Sequence, residues 1–514
     1  MPHPQAPEAD IALLLEGTYP YVSGGVASWV HQIIQAYPEH RFALVFLGSR
    51  RADYGSFRYE LPANVVHFEE HFLYEQLHAP SEPKPRAGDR QAFAQLQLLM
   101  DALELHTHDQ ATADQVVEVM RTVARELMPG GAIPMEDFLY SRRAWELICE
   151  GYRQHCSEPS FIDYFWTVRI MFQPLWLLAQ VAHNMPRVRV LHSASTGYAG
   201  FLGALVQDTR AVPFVLSEHG IYTKERHIDL LKSDWIHDNR NFFQRNASEI
   251  SYLRRLWMGM FEWMGRYCYA AANPIVALYE ANRQRQIQDG ARPERTQSIP
   301  NGIRIASFAA QRRMTGSPIP PVICLLGRVV PIKDIKTLIR SMLRVVHQCP
   351  QAQAWIVGPT DEDEEYAQEC RNLVTSLGLQ SQIKFLGFQR TADILPQVGL
   401  MVLSSISEAL PLAVLEAYAA GIPVVTTDVG SCRQLVYGLD EEDRALGASG
   451  RVVGIADPRA LADAMVELLT DPVTWQAASQ AGIARVERYY TDSRMFDSYR
   501  RIYHDALASQ KEAR

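Results

Sequence analysis

Two separate series of short apolar runs, each alternating with amphipathic stretches, constrain this chain more than any other feature. The first opens with an apolar run at 11–15, passes a loop containing Gly24 and Gly25, and continues into 26–34, whose spacing predicts an amphipathic helix. Further strands are expected at 42–47, 188–191 and 214–217. The second series begins after Pro300-Asn301-Gly302, with strands expected at 322–326, 354–357, 383–385, 400–403 and 423–427 and helices at 336–347, 364–377 and 411–420. Such alternation is the pattern of a parallel, doubly wound sheet, and the two series show no evident sequence repeat. The expected fold class is α/β, with two Rossmann-like domains facing a central cleft.

At 514 residues the chain exceeds what one core usually supports. The expected division is 1–300, with a helical insertion at about 72–186, then 301–488, then a C-terminal helix at 489–514 packing back on the first domain. The insertion holds a proline-rich stretch at 80–85 and an acid-rich helix near 111–127; it either carries acceptor or partner specificity or simply adds core. Residues 164–181 are apolar enough to suggest a membrane span. Arg169, Gln173, Pro174 and Gln180 interrupt them, so a buried helix of a soluble domain is expected, with a membrane segment or a docking face for a membrane protein as alternatives. Fifty Lys and Arg against 58 Asp and Glu give a net charge of −8, which argues against a nucleic-acid binder. The seven cysteines have no CxxC or zinc-type spacing and read as reduced thiols. No basic, apolar leader precedes residue 11, so a cytoplasmic location is expected.

The segment from Ser404 to Tyr418 carries the most chemistry. It runs from a buried strand into a helix that Pro411 is suited to start, with Glu408 before that helix and Glu416 inside it. A helix start offers free N–H groups and partial positive charge to a diphosphate, and carboxylates beside it accept hydrogen bonds from sugar and ribose hydroxyls. Upstream, Arg328 and Lys333 fall in the loop at the carboxyl end of the expected strand 322–326. There they would neutralise the charge of a departing diphosphate. Asp361-Glu362-Asp363-Glu364-Glu365 raises a metal site, but an acidic helix start with Thr360 as its cap accounts for it better.

In order and spacing these residues resemble the retaining GT-B glycosyltransferases of family 4, and most closely the Pel exopolysaccharide glycosyltransferases. The resemblance is carried by Gly24-Gly25, Pro300-Asn301-Gly302-Ile303, Gly327-Arg328 with Lys333, Glu408 to Glu416 and Gly421-Ile422-Pro423-Val424-Val425. Its Pel-like part is the opening from Leu15 to Val26, the segment Ser217-Glu218-His219-Gly220-Ile221-Tyr222, and Gly358-Pro359-Thr360-Asp361-Glu362-Asp363. The resemblance implies a retaining, metal-independent transferase that needs no cofactor. It would use UDP-glucose or UDP-N-acetylgalactosamine to extend an exopolysaccharide, with a saccharide acceptor and inner-membrane synthase subunits as partners.

It further implies that Arg328 and Lys333 bind the donor diphosphate, Glu416 the ribose and Glu408 the transferred sugar, with backbone at Leu410, Pro411 and Leu412 assisting. Gly24 and Gly25 would let backbone approach the phosphates, a tight turn being the alternative. His219 would serve the donor sugar and the transition state, and Phe388 the uracil, with core packing an equal reading of Phe388. Glu218, Tyr222 and Arg226 form a polar cluster of acceptor or sugar-pocket candidates. Two departures stand out: Asp334, where many relatives have glycine, and Gln434, where a glutamate is often found. The alternative function is a non-catalytic nucleotide-sugar-binding scaffold of a membrane synthase complex.

Overall fold

The computed structural model describes residues 8–75, 85–103, 110–156, 160–233, 236, 250–314 and 316–512. Residues 80–84 of the proline-rich stretch lie outside the described residues. Two compact units divide the chain: Met1–Ser298 together with Tyr499–Arg514, and Ile299–Ser498.

In the first unit, seven strands run β1 (Ile11–Glu16), β2 (Phe42–Gly48), β3 (Val65–Phe72), β4 (Val190–Ser193), β5 (Phe214–Glu218), β6 (Ile275–Ala277) and β7 (Thr296–Ser298). All pairings are parallel, in the order β3-β2-β1-β4-β5-β6-β7. β1 and β2 are almost wholly apolar and buried, as strands covered on both faces must be. β3, β6 and β7 had no counterpart among the expected strands. Strand order reverses between β1 and β4, so a crevice opens at the carboxyl ends of these strands, where open α/β sheets bind ligands.

Between β3 and β4 the chain is helical, and the stretch expected as a buried helix lies within Phe161–Asn184. Val168, Met171, Phe172, Leu175 and Leu178 on it are buried, and Arg169 donates to the Leu139 carbonyl. No helix among the described residues is long and apolar enough to cross a membrane. The final helix, Asp492–Glu512, enters the first unit from Tyr499 onward. Tyr503 shares a hydrogen bond of 2.7 Å with His192, whose other ring nitrogen is 2.8 Å from the Ser217 hydroxyl. Tyr499 donates to that same hydroxyl at 3.0 Å.

The second unit holds β8 (Val322–Leu326), β9 (Gln353–Val357), β10 (Ile383–Gly387), β11 (Leu400–Leu403), β12 (Val424–Thr427) and β13 (Gly450–Val453), also all parallel, in the order β10-β9-β8-β11-β12-β13. Its switch point lies between β8 and β11. Helix Pro472–Tyr489 carries a fully buried Arg485, which donates to Asp443 at 2.6 Å and also to the carbonyls of Val436, Asp443 and Gly447.

Candidate functional site

In the second unit the residues of interest gather at the switch point. β8 ends at Leu326 and the backbone turns at Gly327, against which Gly358, after β9, packs. A Cβ at Gly358 would stand 2.0 Å from the Gly327 carbonyl oxygen, and Gly358 has φ +152°, so this approach admits only glycine. The turn Pro331–Lys333 aims the Lys333 ammonium at Glu408, just beyond β11, and the two form an ion pair. Both side chains are largely buried, 17% and 14% exposed. Ser405 donates to the same Glu408 oxygen at 2.6 Å, and Ser404 donates to the Lys333 carbonyl at 2.9 Å. Lys333 and Glu408, assigned separate roles from sequence, are thus direct partners.

Arg328 is more exposed and pairs with Glu362 at 2.6 Å. Helix Leu412–Ala419 begins after Pro411 with no side-chain cap, and Leu410 and Pro411 are buried at its start. Glu416 sits one turn in; burial pushes its carboxyl up to about 7 against the opposing hydrogen bond of Thr391. Phe388 is 79% exposed, which overturns the core-packing reading.

The acidic run is a helix start, but its cap is Asp363 rather than Thr360. Asp363 accepts from the Tyr366 N–H at 2.9 Å, being at the position from which a short carboxylate reaches the N3 amide. Asp334 adopts φ +42° and caps the following helix Ile335–Gln348, accepting from the Thr337 hydroxyl at 2.6 Å. Gln434 donates to the Tyr490 hydroxyl at 3.2 Å.

In the first unit, Gly24 and Gly25 lie exposed at the start of helix Gly25–Ala36, which has no side-chain cap. Gly24 is extended at φ 170°, and a Cβ on either residue would meet nothing within 4 Å, so no strained turn demands glycine there. His219 follows β5 with its ring 4.5 Å from that of Trp29. Burial lowers its pKa to about 4, which keeps it neutral. Its Nε2 is buried without a hydrogen-bond partner, an arrangement that costs about 1–3 kcal/mol when nothing fills it.

A pocket of about 930 Å³ opens at the carboxyl ends of β1, β2, β4 and β5, formed within this unit alone. His219, Tyr222 and Arg226 line it. Glu218 does not, which corrects its assignment to a sugar pocket: it is 1% exposed and turned inward. It accepts from Tyr269 at 2.6 Å, Gln286 at 2.9 Å and Thr196 at 3.1 Å, and burial raises its carboxyl to about 7 despite these donors.

The sequence reading missed Glu16, Trp257 and Phe261, which also line the pocket. Glu16 could have been found as a charge ending a buried apolar strand, as Glu218 ends β5. It accepts from the Tyr222 hydroxyl at 2.7 Å and from the Ala199 N–H at 3.3 Å, and burial raises its pKa. Gly197 makes room for this pair, since a Cβ there would fall 2.5 Å from the Glu16 carboxylate.

Two family models match the chain. The one described as a domain of unknown function, DUF3492, spans residues 9–294, more than half of the chain, and "Glycosyl transferases group 1" spans residues 320–471. The phosphatidyl-myo-inositol mannosyltransferase of Mycobacterium leprae is 30% identical over 204 residues, covering 37% of this chain and 49% of the relative. The D-inositol 3-phosphate glycosyltransferase of Kineococcus radiotolerans is 28% identical over 263 residues, covering 47% and 60%. The chain therefore spans about half the length of the curated relatives it matches. Among solved structures, HepE of Anabaena in complex with UDP and glucose is 16% identical, with a TM-score of 0.55 over 96% of this chain and 99% of that one. Sucrose-phosphate synthase of Thermosynechococcus elongatus is also 16% identical, with a TM-score of 0.55 over 97% and 100%. With two parallel Rossmann-like sheets of the GT-B class, this chain belongs to the DUF3492 family and carries a group 1 glycosyltransferase domain as its second unit.

Proposed function

We propose that the chain is a retaining, metal-independent glycosyltransferase that moves a sugar from a UDP-sugar, UDP-glucose or UDP-N-acetylgalactosamine, onto a growing exopolysaccharide of the Pel type. The observation that carries this reading is the Lys333–Glu408 ion pair at the second sheet's switch point, beside an uncapped helix start that leads to Glu416. As the diphosphate leaves, negative charge develops on its oxygens, and the Lys333 ammonium, the Arg328 guanidinium and the helix N–H groups supply the compensating field. A diphosphate competes with Glu408 for Lys333. Once released, Glu408 can accept hydrogen bonds from sugar hydroxyls, while Glu416, one turn deeper, accepts from the ribose. With two cations on hand, the leaving group needs no metal.

Neutral His219 with its unpartnered Nε2 suits a hydrogen bond to the donor sugar. Retention, the Pel product, a cytoplasmic location and inner-membrane synthase partners rest on the resemblance of the sequence motifs. The UDP and glucose bound to HepE favour a uridine donor. The alternative, a non-catalytic scaffold, is disfavoured because the cations, both glutamates and His219 are all retained.

Isothermal titration of the metal-free protein with UDP-, GDP- and ADP-sugars tests the reading. Selective binding of one UDP-sugar, lost in Arg328→Ala and Glu416→Ala, is expected. Binding that requires a divalent metal overturns metal independence, and binding without any transfer leaves the scaffold.

A further inference from the structure

We propose that Trp29 is a positioning residue for His219: its indole is the wall that orients the imidazole at the pocket, and Tyr499 of the final helix braces the indole in turn. This rests on the transferase reading above, in which His219 serves the transferred sugar.

The two buried histidines of the first unit's sheet are held by opposite means. His192 is fixed at both ring nitrogens, with the Tyr503 hydroxyl 2.7 Å from Nδ1 and the Ser217 hydroxyl 2.8 Å from Nε2. Among the described residues no hydrogen bond reaches the ring of His219, and its Nε2 is buried without a partner. The direction of a functional imidazole is usually set by a hydrogen bond on its second nitrogen, so packing has to set it here. The ring placed to do so is that of Trp29, whose centroid lies 4.5 Å away at 67°, close to the edge-to-face arrangement that aromatic pairs favour. The indole Nε1 is also buried without a partner, so the contact is ring against ring. Trp29 is 4% exposed and His219 8%, which leaves neither ring room to turn.

Trp29 is itself placed by contacts distant in sequence. It sits on helix Gly25–Ala36, whose Val30, Ile33 and Ile34 are buried, and its indole meets Tyr499 at 5.4 Å and 66° and His192 at 5.6 Å and 88°. Tyr499 is anchored by donating to the Ser217 hydroxyl at 3.0 Å. Ser217 lies in β5 and His219 directly follows that strand; side chains two apart along a strand leave from the same face. The hydroxyl that anchors Tyr499 and the imidazole that Trp29 orients are therefore neighbours, and docking of the final helix and orientation of His219 belong to one packed layer. A group misplaced by about 1 Å can cost about a hundredfold in rate, so loosening this layer should slow transfer and leave UDP binding, assigned to the second unit, as it was.

The test follows UDP release from UDP-glucose and UDP-N-acetylgalactosamine by the full chain, with glucose- and N-acetylgalactosamine-type oligosaccharides as acceptors, and UDP binding by titration calorimetry. Trp29→Leu is expected to lower kcat about 10- to 100-fold while donor KM and UDP affinity stay as in the parent. Trp29→Phe, which keeps a ring against the imidazole, should recover most of the rate. In a His219→Ala background Trp29→Leu should cost nothing further, since a residue that acts through another has no effect once that other is gone. An unchanged kcat in Trp29→Leu, additive losses in the double variant, or Trp29→Phe as slow as Trp29→Leu overturns the proposal. Should Trp29→Leu not fold, Tyr499→Leu, one contact further from His219, takes its place in each comparison. Carbon NMR of protein carrying isotope-labelled histidine reads ring order without turnover. The His219 ring signal, assigned by its loss in His219→Ala, should be single and sharp in the parent and in Trp29→Phe, and broadened or split in Trp29→Leu and Tyr499→Leu; a signal equally sharp in all four overturns the proposal. The expected NMR pattern in a parent that releases no UDP would remove the transferase reading and leave the positioning, whereas UDP release with an undisturbed signal in the Leu variants would remove the positioning alone.

Discussion

Lys333 and Glu408 neutralise each other in a largely buried setting, so removing either one leaves a charge uncompensated. For Lys333→Ala the loss falls on the nucleotide: a charge-assisted hydrogen bond to a diphosphate is worth about 1.5–3 kcal/mol, so UDP affinity should drop about 10- to 100-fold by titration calorimetry. An unchanged affinity would remove Lys333 from the donor site. Glu416 adds a pH dependence. Its carboxyl is raised from the ordinary 4.5 to about 7 by burial. The protonated form is thus favoured by the fold, and the stability it contributes is present below about 4.5 and lost as pH rises through 7. Ribose hydroxyls, by contrast, need the ionised acceptor. UDP affinity should therefore rise between pH 6 and 8, stability should fall between about 4.5 and 7 and level off above, and Glu416→Gln should flatten both curves. Parallel pH profiles in parent and variant would show that Glu416 does not face the ribose.

Asp334 shows how one element absorbs a residue that local backbone disfavours. At φ +42° a non-glycine residue carries strain, and its carboxylate offsets this by capping Ile335–Gln348 through Thr337. Asp334→Ala loses the cap and keeps the strain, and should cost about 1–2 kcal/mol in urea unfolding. Asp334→Gly loses the cap but relieves the strain, and should lie close to the parent; equal losses in both would assign the effect to the cap alone. The strands legible in the sequence, such as β1, β2, β8 and β11, are continuous apolar runs buried on both faces. Those that escaped are β3, whose VVHFEEHF mixes charge with apolar residues, β13, whose GRVV is short and holds an arginine, and β6 and β7, only three residues each, too short for a periodicity to register. The second unit's site was readable because its parts sit in short motifs at strand ends. Of the first unit's pocket only His219, Tyr222 and Arg226 were readable, from one short motif after β5; Glu16, Tyr74, Tyr198, Trp257 and Phe261 were not, because they join them only through the order of the strands, and the two aromatics, four apart on helix Tyr252–Ala271, have the spacing of ordinary core.

On the scale of the whole molecule, the first unit is discontinuous in sequence: it is not complete at Ser298 but takes in Tyr499–Arg514. Tyr499 and Tyr503 are fully buried there, Tyr499 packs on Trp29 with ring centroids 5.4 Å apart, and both are tied to Ser217 or His192. Burial lowers the His192 pKa to about 3, so this histidine is neutral and depends on those hydroxyls for its hydrogen bonds. A fragment ending at 298 loses two buried aromatics, each worth about 3–5 kcal/mol when truncated, and strands His192 and Ser217 as well. Against a typical stability of about 5–15 kcal/mol, that loss is enough to abolish cooperative folding. The segment 299–498 contains its own sheet and should unfold cooperatively on its own. The measurement is urea unfolding of the two fragments beside the full chain, followed by circular dichroism: 1–298 should show no sharp transition, 299–498 a sharp one, and a synthetic peptide of residues 490–512 added to 1–298 should restore order. A fragment 1–298 that unfolds as sharply and at the same midpoint as the full chain would mean that the terminal helix is an accessory to the first unit and not part of its core.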